Sequence, residues 1–279
     1  MENLTVVKCG GTASVDPLAV CEDVAALAKA GAAVVLVHGG SADIDRLGRR
    51  LGVPMRRLAG QSGASGRRTD AAVLEVVTMA LAGLTKPRLV AALMAAGVLA
   101  VGLTGLDGGL LRARRKPPFA SVVEGRRMVV RDDLSGRVTG VNAGLLGDLL
   151  AAGVVPVVSP PALAEDGTAV NTDADRAAAQ VAAALGASTL VMLTGAPGVL
   201  ADPADEGSVM KLCPVPMNGP PPHTGGGMAH KLLAAREALL AGVPQVLVAD
   251  GRRAQPVLSA LAGQATVIAL AGTEKEAGR

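Results

Sequence analysis

Lys8 closes an apolar run and is followed by a glycine pair, in Val6-Val7-Lys8-Cys9-Gly10-Gly11. An ammonium is a compact point charge with three donors. Adjacent glycines let backbone N–H groups approach a ligand with no Cβ in the way. Open α/β sheets bind ligands at the carboxyl ends of their strands, where this lysine and this turn would lie. The combination points to phosphate chemistry. It is not a P-loop, because the G-x-x-x-x-G-K-[ST] spacing is absent. One glycine pair is more often a tight turn than a site. A second copy shifts that balance, since Val34-Val35-Leu36-Val37-His38-Gly39-Gly40-Ser41 repeats the apolar strand and its ending. Thr104-Gly105-Leu106-Asp107-Gly108-Gly109 is a third glycine-rich ending.

Other candidates are weaker one by one. Arg56, Arg57, Arg67 and Arg68 lie among glycines and serines in a loop-like stretch over 54–68. An arginine there can grip a carboxylate bidentately, although a solvated loop charge is commoner. Asn171-Thr172-Asp173 precedes a helical pattern, where an isolated Asp is more often an N-cap than a catalytic group. Gly225-Gly226-Gly227-Met228-Ala229-His230-Lys231 opens another helix. Between 110 and 141, Arg112, Arg114, Arg115, Lys116, Arg126, Arg127, Arg131 and Arg137 face only Glu124, Asp132 and Asp133. Residues 122–130 read as a hairpin turning at Glu124-Gly125. Basic residues often only protect an edge strand, but this excess suits an acidic partner.

These residues must be placed by strand–turn–helix units. Strands are expected at 4–9, 33–38, 98–103, 154–158, 189–193 and 245–249. Helices are expected at 16–30, 42–51, 71–82, 86–96, 142–152, 174–185, 228–241 and 254–262. Asp16 with Pro17 and Thr69-Asp70 supply start signals. Strands alternating with helices imply an α/β fold with an open, mainly parallel central sheet and helices on both faces. Ser159-Pro160-Pro161 breaks the composition and sets an expected boundary between lobes 1–160 and 161–279. The stretch 214–227 is expected to be flexible, and the tail after Thr273 loose.

The totals exclude several classes. At 279 residues the chain can bury a large core. It is 50% apolar and 18% charged, which argues against disorder. It has no Trp or Tyr and one Phe, Phe119, so it lacks the aromatic platforms that stack single-stranded nucleic acid. No apolar run of membrane-spanning length and no signal-peptide layout stands out. Cys9, Cys21 and Cys213 are odd in number and far apart, which fits reduced thiols in a cytoplasmic protein rather than a disulfide frame or zinc site.

Taken in order, Lys8-Cys9-Gly10-Gly11, His38-Gly39-Gly40, Arg67-Arg68-Thr69-Asp70, Gly102-Leu103-Thr104-Gly105, Asn171-Thr172-Asp173, Thr194-Gly195-Ala196-Pro197-Gly198-Val199 and Gly226-Gly227-Met228-Ala229-His230-Lys231 resemble the amino acid kinase family, in its acetylglutamate kinase group. The resemblance spans essentially the whole chain and implies a three-layer sandwich. It also implies transfer of the γ-phosphoryl of ATP to a carboxylate, with the acid on the first lobe and the nucleotide on the second. By it, Lys8 and Lys231 neutralise the moving phosphoryl group from opposite sides, and Asp173 orients both lysines. Gly10, Gly11, Gly39 and Gly40 would hold the phosphate oxygens. Ser41, Arg67 and Asn171 would hold the acid, and Thr194, Gly198, Gly227 and Met228 the nucleotide. ATP would bring Mg²⁺, with no dedicated metal site. The attacking carboxylate is already ionised at neutral pH, so no general base is required.

Departures from the group narrow the reading. Its members usually carry Asn-x-Asn-x-Asp, set here against Ala169-Val170-Asn171-Thr172-Asp173, so that Ala169 replaces the asparagine that contacts a small acetylamino end. Ser41 replaces the third glycine of His-Gly-Gly-Gly, and Gly195 stands where Asp or Asn is usual. With Arg114-Arg115-Lys116 and the following stretch to Asn142, these features resemble the branch acting on α-aminoadipate or glutamate. In that branch the amino group is blocked by the C-terminal glutamate of a small acidic carrier protein (LysW type). Arg114, Arg115, Lys116, Arg126 and Arg127 would then dock the carrier. The start at Lys8 leaves no room for the N-terminal helix of hexameric relatives, so a homodimer is expected. A kinase of free N-acetylglutamate and a non-catalytic nucleotide-sensing regulator are the alternatives. Neither nucleic acid nor membrane is an expected partner.

Overall fold

In β1 (Leu4–Cys9) successive side chains point to opposite faces of the sheet, so Leu4, Val6 and Lys8 share one face and Thr5, Val7 and Cys9 the other. That parity puts the lysine on a chosen side. β2 (Ala33–His38) pairs with β1 in parallel, Lys8 opposite Val37 and Cys9 opposite His38. The computed structural model describes residues 3–11, 14–59, 65–123, 126–222 and 226–272.

The elements follow the expected alternation. α1 (Pro17–Lys29) starts at Asp16, whose side chain accepts the N–H groups of Leu18 and Ala19. α2 (Ser41–Leu51) follows β2 directly. β3 (Arg57–Ala59) and β4 (Ser65–Arg67) pair as a small hairpin within the stretch expected to be loop. α3 (Ala71–Thr78) is capped by Asp70. It continues through a π-helical segment, 79–85, into α4 (Lys86–Ala95). Two expected helices are thus one. Pro87 has no N–H for the turn before it, and a π segment there absorbs the missing bond without breaking the helix.

By length and composition this continuous helix, 71–95, is sufficient to cross a membrane, which corrects the expectation that no such run exists. Its Val73, Val76, Val77, Ala80, Leu81, Leu89 and Leu93 are nonetheless buried in the protein core.

β5 (Ala100–Gly105) leads to a short 3₁₀ turn, then β6 (Leu111–Arg115). β7 (Phe119–Val123) and β8 (Arg126–Val130) pair from Phe119 opposite Val130 to Val123 opposite Arg126. The expected turn at Glu124-Gly125 lies outside the described residues. β9 (Gly136–Val141) returns antiparallel to β6. α5 (Ala143–Ala151) is capped by Asn142. β10 (Val155–Ala164) runs straight through the expected lobe boundary at 160, with a cis peptide between Pro160 and Pro161. β11 (Ala169–Val170), α6 (Ala174–Leu185), β12 (Thr189–Thr194), β13 (Leu212–Val215), α7 (Gly226–Leu240), β14 (Gln245–Asp250), α8 (Pro256–Leu261) and β15 (Thr266–Leu270) complete the described fold.

Eleven strands form one sheet in the order β13-β15-β14-β12-β1-β2-β10-β6-β9, with β5 and β11 also on β10. Most neighbours are parallel; β14/β15, β6/β9 and β10/β11 are antiparallel. The two faces carry separate cores. Leu4, Val6, Val35, Val37, Leu190 and Met192 meet α5, α6 and α7. Val7, Val34, Leu36, Val191 and Leu193 meet α1, α4 and α8. Lys8 therefore faces α6 and α7, and His38 faces the opposite layer.

Candidate active site

α6 and α7 bring the counterpart of Lys8. Asp175, Ala178, Ala179 and Ala182 lie at i, i+3, i+4 and i+7 and are buried on one face of α6. Lys231, Ala234, Ala235 and Ala238 repeat that spacing on α7. Each charged residue thus heads a buried stripe of small side chains that lets helix and sheet approach closely. The result is a buried triad. Lys8 Nζ and Lys231 Nζ both lie 2.8 Å from the same oxygen, Asp175 Oδ1. Burial alone would raise the Asp175 pKa, but Lys231 and then Lys8 hold its carboxyl well below the usual range. Burial alone would lower both lysines. For Lys8 the pull of Asp175 wins and the net shift is upward. For Lys231 burial and the charge of Lys8 together win, and the net shift is downward. One carboxylate between two ammoniums leaves a net positive centre facing the cavity.

The carboxylate between the lysines is therefore Asp175, not Asp173. Asp173 is the N-cap of α6, accepting the Arg176 N–H at 2.9 Å, with its second oxygen 3.8 Å from His230 Nδ1. An Asp at the cap lies outside the helix, whereas the buried stripe begins two residues later. The Asn-x-Asn-x-Asp register then moves by two: Asn171 takes the first place, Asp173 the second and Asp175 the third. Ala169 falls outside the pattern; it sits in β11 opposite Leu163, and the argument drawn from it does not stand. The signal that could have found Asp175 is the helical spacing to Ala178, Ala179 and Ala182.

The triad lines a cavity of about 770 Å³ bordered by Gly10, Gly11, Gly39 and Gly40. The two glycine turns touch. A Cβ on Gly11 would fall 2.5 Å from Gly40 N and 2.7 Å from Ser41 N. Ser41 ties them, its hydroxyl donating to Gly11 O at 2.7 Å beside the Ala42 N–H at 2.9 Å. The N-termini of α2, α6 and α7 all open on this cavity through Ser41, Ala174 and Gly226. Each carries unpaired N–H groups and a positive dipole end, so the cavity is built for an anion of several charges.

The remaining expected residues divide. Arg67 and Asn171 also line the cavity. Arg67 Nη1 lies 2.7 Å from Asp45 Oδ1, and Asn171 Nδ2 donates to Thr69 Oγ1 at 3.2 Å. Arg57, Lys116 and Arg137 add basic side chains to its lining, with Arg137 3.2 Å from Glu237. Thr194, Gly227 and Met228 line it as well. Gly198 does not reach the cavity. It packs under Thr266, where a Cβ would fall 2.7 Å from Thr266 Oγ1. The third glycine ending is structural as well, because a Cβ on Gly105 would meet Pro161 O at 2.6 Å. Arg114 is exposed, 3.4 Å from Glu165. Arg115 braces the hairpin exit, donating to Asp133 O at 3.0 Å and Arg131 O at 3.3 Å. Arg126 and Arg127 begin β8. Among the described residues no cluster of three His, Cys, Asp or Glu could hold a metal ion. The three cysteines are buried and free.

A family profile described as "Amino acid kinase family" matches residues 3–250. The chain is 42% identical over 269 residues to the [LysW]-aminoadipate kinase of Deinococcus radiodurans, covering 95% of this chain and 91% of that protein. It is 41% identical to the protein of the same name from Thermus thermophilus, covering 95% and 100%. It is 36% identical to the acetylglutamate kinase of Myxococcus xanthus, covering 98% and 91%. Among solved structures, the N-acetylglutamate synthase of Neisseria gonorrhoeae superposes with a TM-score of 0.73 at 23% identity, over 96% of this chain and 59% of that one. Giardia carbamate kinase superposes with a TM-score of 0.63 at 16% identity, over 95% and 98%.

Proposed function

The chain belongs to the amino acid kinase family, and on that premise we propose that it phosphorylates the side-chain carboxylate of an amino dicarboxylate joined through its amino group to a small acidic carrier protein of LysW type. ATP is the donor, α-aminoadipate or glutamate the acid, and the product an acyl phosphate, as in lysine- or arginine-type biosynthesis. The observation that carries the reading is the pair of buried ammoniums on one Asp175 oxygen at the floor of a cavity lined by two glycine turns. The likeness to two [LysW]-aminoadipate kinases over nearly the whole chain favours the carrier-linked acid. The likeness to acetylglutamate kinase is lower in identity and keeps free N-acetylglutamate as the second reading.

The chemistry follows from charge. Phosphoryl transfer needs positioning and neutralisation rather than covalent help. Lys8 and Lys231 stabilise charge on the transferred group and its leaving oxygen, and Asp175 fixes where both ammoniums point. The N–H groups of the Gly10-Gly11 and Gly39-Gly40 turns hold phosphate oxygens. Arg67 and Asn171 seat the acid, the lobe of residues 1–160 supplying the arginine and the start of the second lobe the asparagine. Thr194, Gly227 and Met228 border the nucleotide, with residues 161–279 as its lobe. Mg²⁺ would enter with ATP, held by its phosphates and water. Arg114, Lys116, Arg126 and Arg127 form the docking side for the carrier. The working form is a cytoplasmic homodimer.

The test is ATP turnover with an acyl-phosphate trap, using carrier-linked α-aminoadipate, carrier-linked glutamate and free N-acetylglutamate. Turnover confined to the carrier-linked acids is expected. Turnover of N-acetylglutamate alone would transfer the assignment to the second reading.

A further inference from the structure

Asp133 lies just beyond the basic hairpin and is 5% exposed. Among the described residues no cation pairs with its carboxyl: Arg115 bonds its backbone oxygen, and Arg68 pairs with Asp132. Its side chain is satisfied by hydrogen bonds alone. Oδ1 accepts the Thr69 N–H at 2.9 Å, and Oδ2 accepts the Ser135 hydroxyl. Burying such a group is costly, so a residue that only filled space there would be better apolar.

The bonds around it form a joint. Leu134 N–H donates back to Thr69 O at 2.6 Å, so the two segments are clamped in both directions. Thr69 is fully buried. Its hydroxyl donates to Arg67 O at 3.3 Å and accepts from Asn171 Nδ2 at 3.2 Å. Asn171 N–H donates to Leu134 O, and Gly136 N–H to Asn171 O, each at 2.8 Å. Arg67, Asn171, Ser135 and Gly136 border the cavity; Asp133 and Thr69 do not. Three stretches that are distant in sequence are thus held in one register, and the carboxyl of Asp133 joins two of them.

We infer that Asp133 is a positioning residue for the acid substrate, fixing the 67–69 turn so that Arg67 and Asn171 stand where the acid needs them. The inference rests on the proposed seating of the acid by those two residues. Because the strand leaving the hairpin runs directly into this joint, the same residue also sets the hairpin's base against the acid end of the cavity.

The full-length chain carrying Asp133→Ala or Asp133→Asn tests this. Asp133→Ala should raise KM for the carrier-linked acid about tenfold and leave KM for ATP within about twofold. Asp133→Asn should behave as the unmodified protein, since its amide oxygen accepts from Thr69 and its amide nitrogen donates to the Ser135 hydroxyl. In an Arg67→Ala background, Asp133→Ala should add nothing further to KM, because both act on one element. Hydrogen exchange gives a substrate-free reading: the Thr69 amide, bonded to Asp133 Oδ1, should exchange faster in Asp133→Ala and not in Asp133→Asn. If Asp133→Ala does not fold, Thr69→Val breaks the same chain at its next link and should show the same KM split. Unchanged Thr69 exchange, an unmoved KM for the acid, or an equal rise for ATP would overturn the inference. An unmodified chain that phosphorylates neither acid would remove the proposed function, and Thr69 exchange would then decide the positioning role alone.

Discussion

Asp175 shows how much a two-residue shift matters. Buried ion pairs are weak sources of stability, but removing one partner leaves an uncompensated charge. Asp175→Asn keeps the shape and leaves two ammoniums facing each other. The expected result is a kcat loss of about a hundred- to a thousandfold, since the lysines act on charge that develops in the transition state. Asp173→Asn should cost little, because Asn and Asp cap helices equally well. Measuring kcat for both variants checks the assignment, and an equal loss in Asp173→Asn would return the orienting role to that residue. The sequence made Lys8, Lys231 and the glycines legible because each closes or opens an element. The resemblance put the orienting role on Asp173, because two carboxylates stand at one helix start and only the buried face of α6 separates them.

His38 gives a second test at this scale. Burial lowers its pKa to about 4, with the charges of Lys86 and Lys8 adding to it against the Gly39 carbonyl. The ring is neutral, with Nδ1–H donating to Gly39 O at 2.9 Å. The unfolded chain takes up this proton near 6.5 and the folded chain only near 4. Between those values the unfolded state binds more protons, so stability falls as pH falls through the window, by up to about 3 kcal/mol. Urea unfolding from pH 7 to pH 4 should show that loss, and His38→Gln should remove this part of it.

Elements set the two glycine turns against each other, and the two turns differ in tolerance. A Cβ on Gly11 meets backbone nitrogens of Gly40 and Ser41, which no rotamer relieves. Gly11→Ala should destabilise by about 1–3 kcal/mol or more and abolish turnover. A Cβ on Gly39 meets Ala174 Cβ at 3.5 Å and Gly11 Cα and N at 3.9 Å, all ordinary contact distances, and its N–H survives the change. Gly39→Ala should therefore fold normally and keep kcat within about tenfold. Thermal unfolding and kcat for the pair decide it, and a Gly11→Ala protein as stable and active as the unmodified chain would refute the contact. Apolar central strands and capped helices were readable from spacing. Among the strands that were missed, three have separate reasons. β6, Leu111-Arg112-Ala113-Arg114-Arg115, hides its alternation inside a charge run. β13, Leu212-Cys213-Pro214-Val215, carries a proline at the sheet edge, where the lost N–H is tolerated but reads as loop. β15 follows α8 where the chain seemed finished. The pairing of β7 with β8 was legible from two β-branched runs, Val122-Val123 and Val129-Val130, on either side of a glycine.

Across the whole molecule, charge separates into two uses of arginine that composition alone could not distinguish. Arg115 and Arg176 are spent internally, on the hairpin exit and on Glu237, so the net excess overstates the free positive surface. Lys116 is exposed, and Arg114 is exposed beside Glu165; the proposed docking adds Arg126 and Arg127, whose side chains lie outside the described residues. Lys116 stands at the cavity border, so the proposed docking side reaches that border. An acidic carrier steered by this surface should associate faster at low salt, because exposed charges are screened beyond a Debye length of about 8 Å at physiological ionic strength. KM for a carrier-linked acid should rise with salt in the unmodified protein. Charge reversal by Arg126→Glu with Arg127→Glu should raise that KM at low salt, flatten its salt response and leave KM for ATP unchanged. Free N-acetylglutamate, if it is turned over at all, should show neither effect. If the arginines only protect a sheet edge, the variant aggregates while its soluble fraction keeps unaltered kinetics. The salt response of the unmodified protein settles the choice between these uses: a KM that does not move between low and physiological salt would mean that the hairpin charges do not steer the carrier.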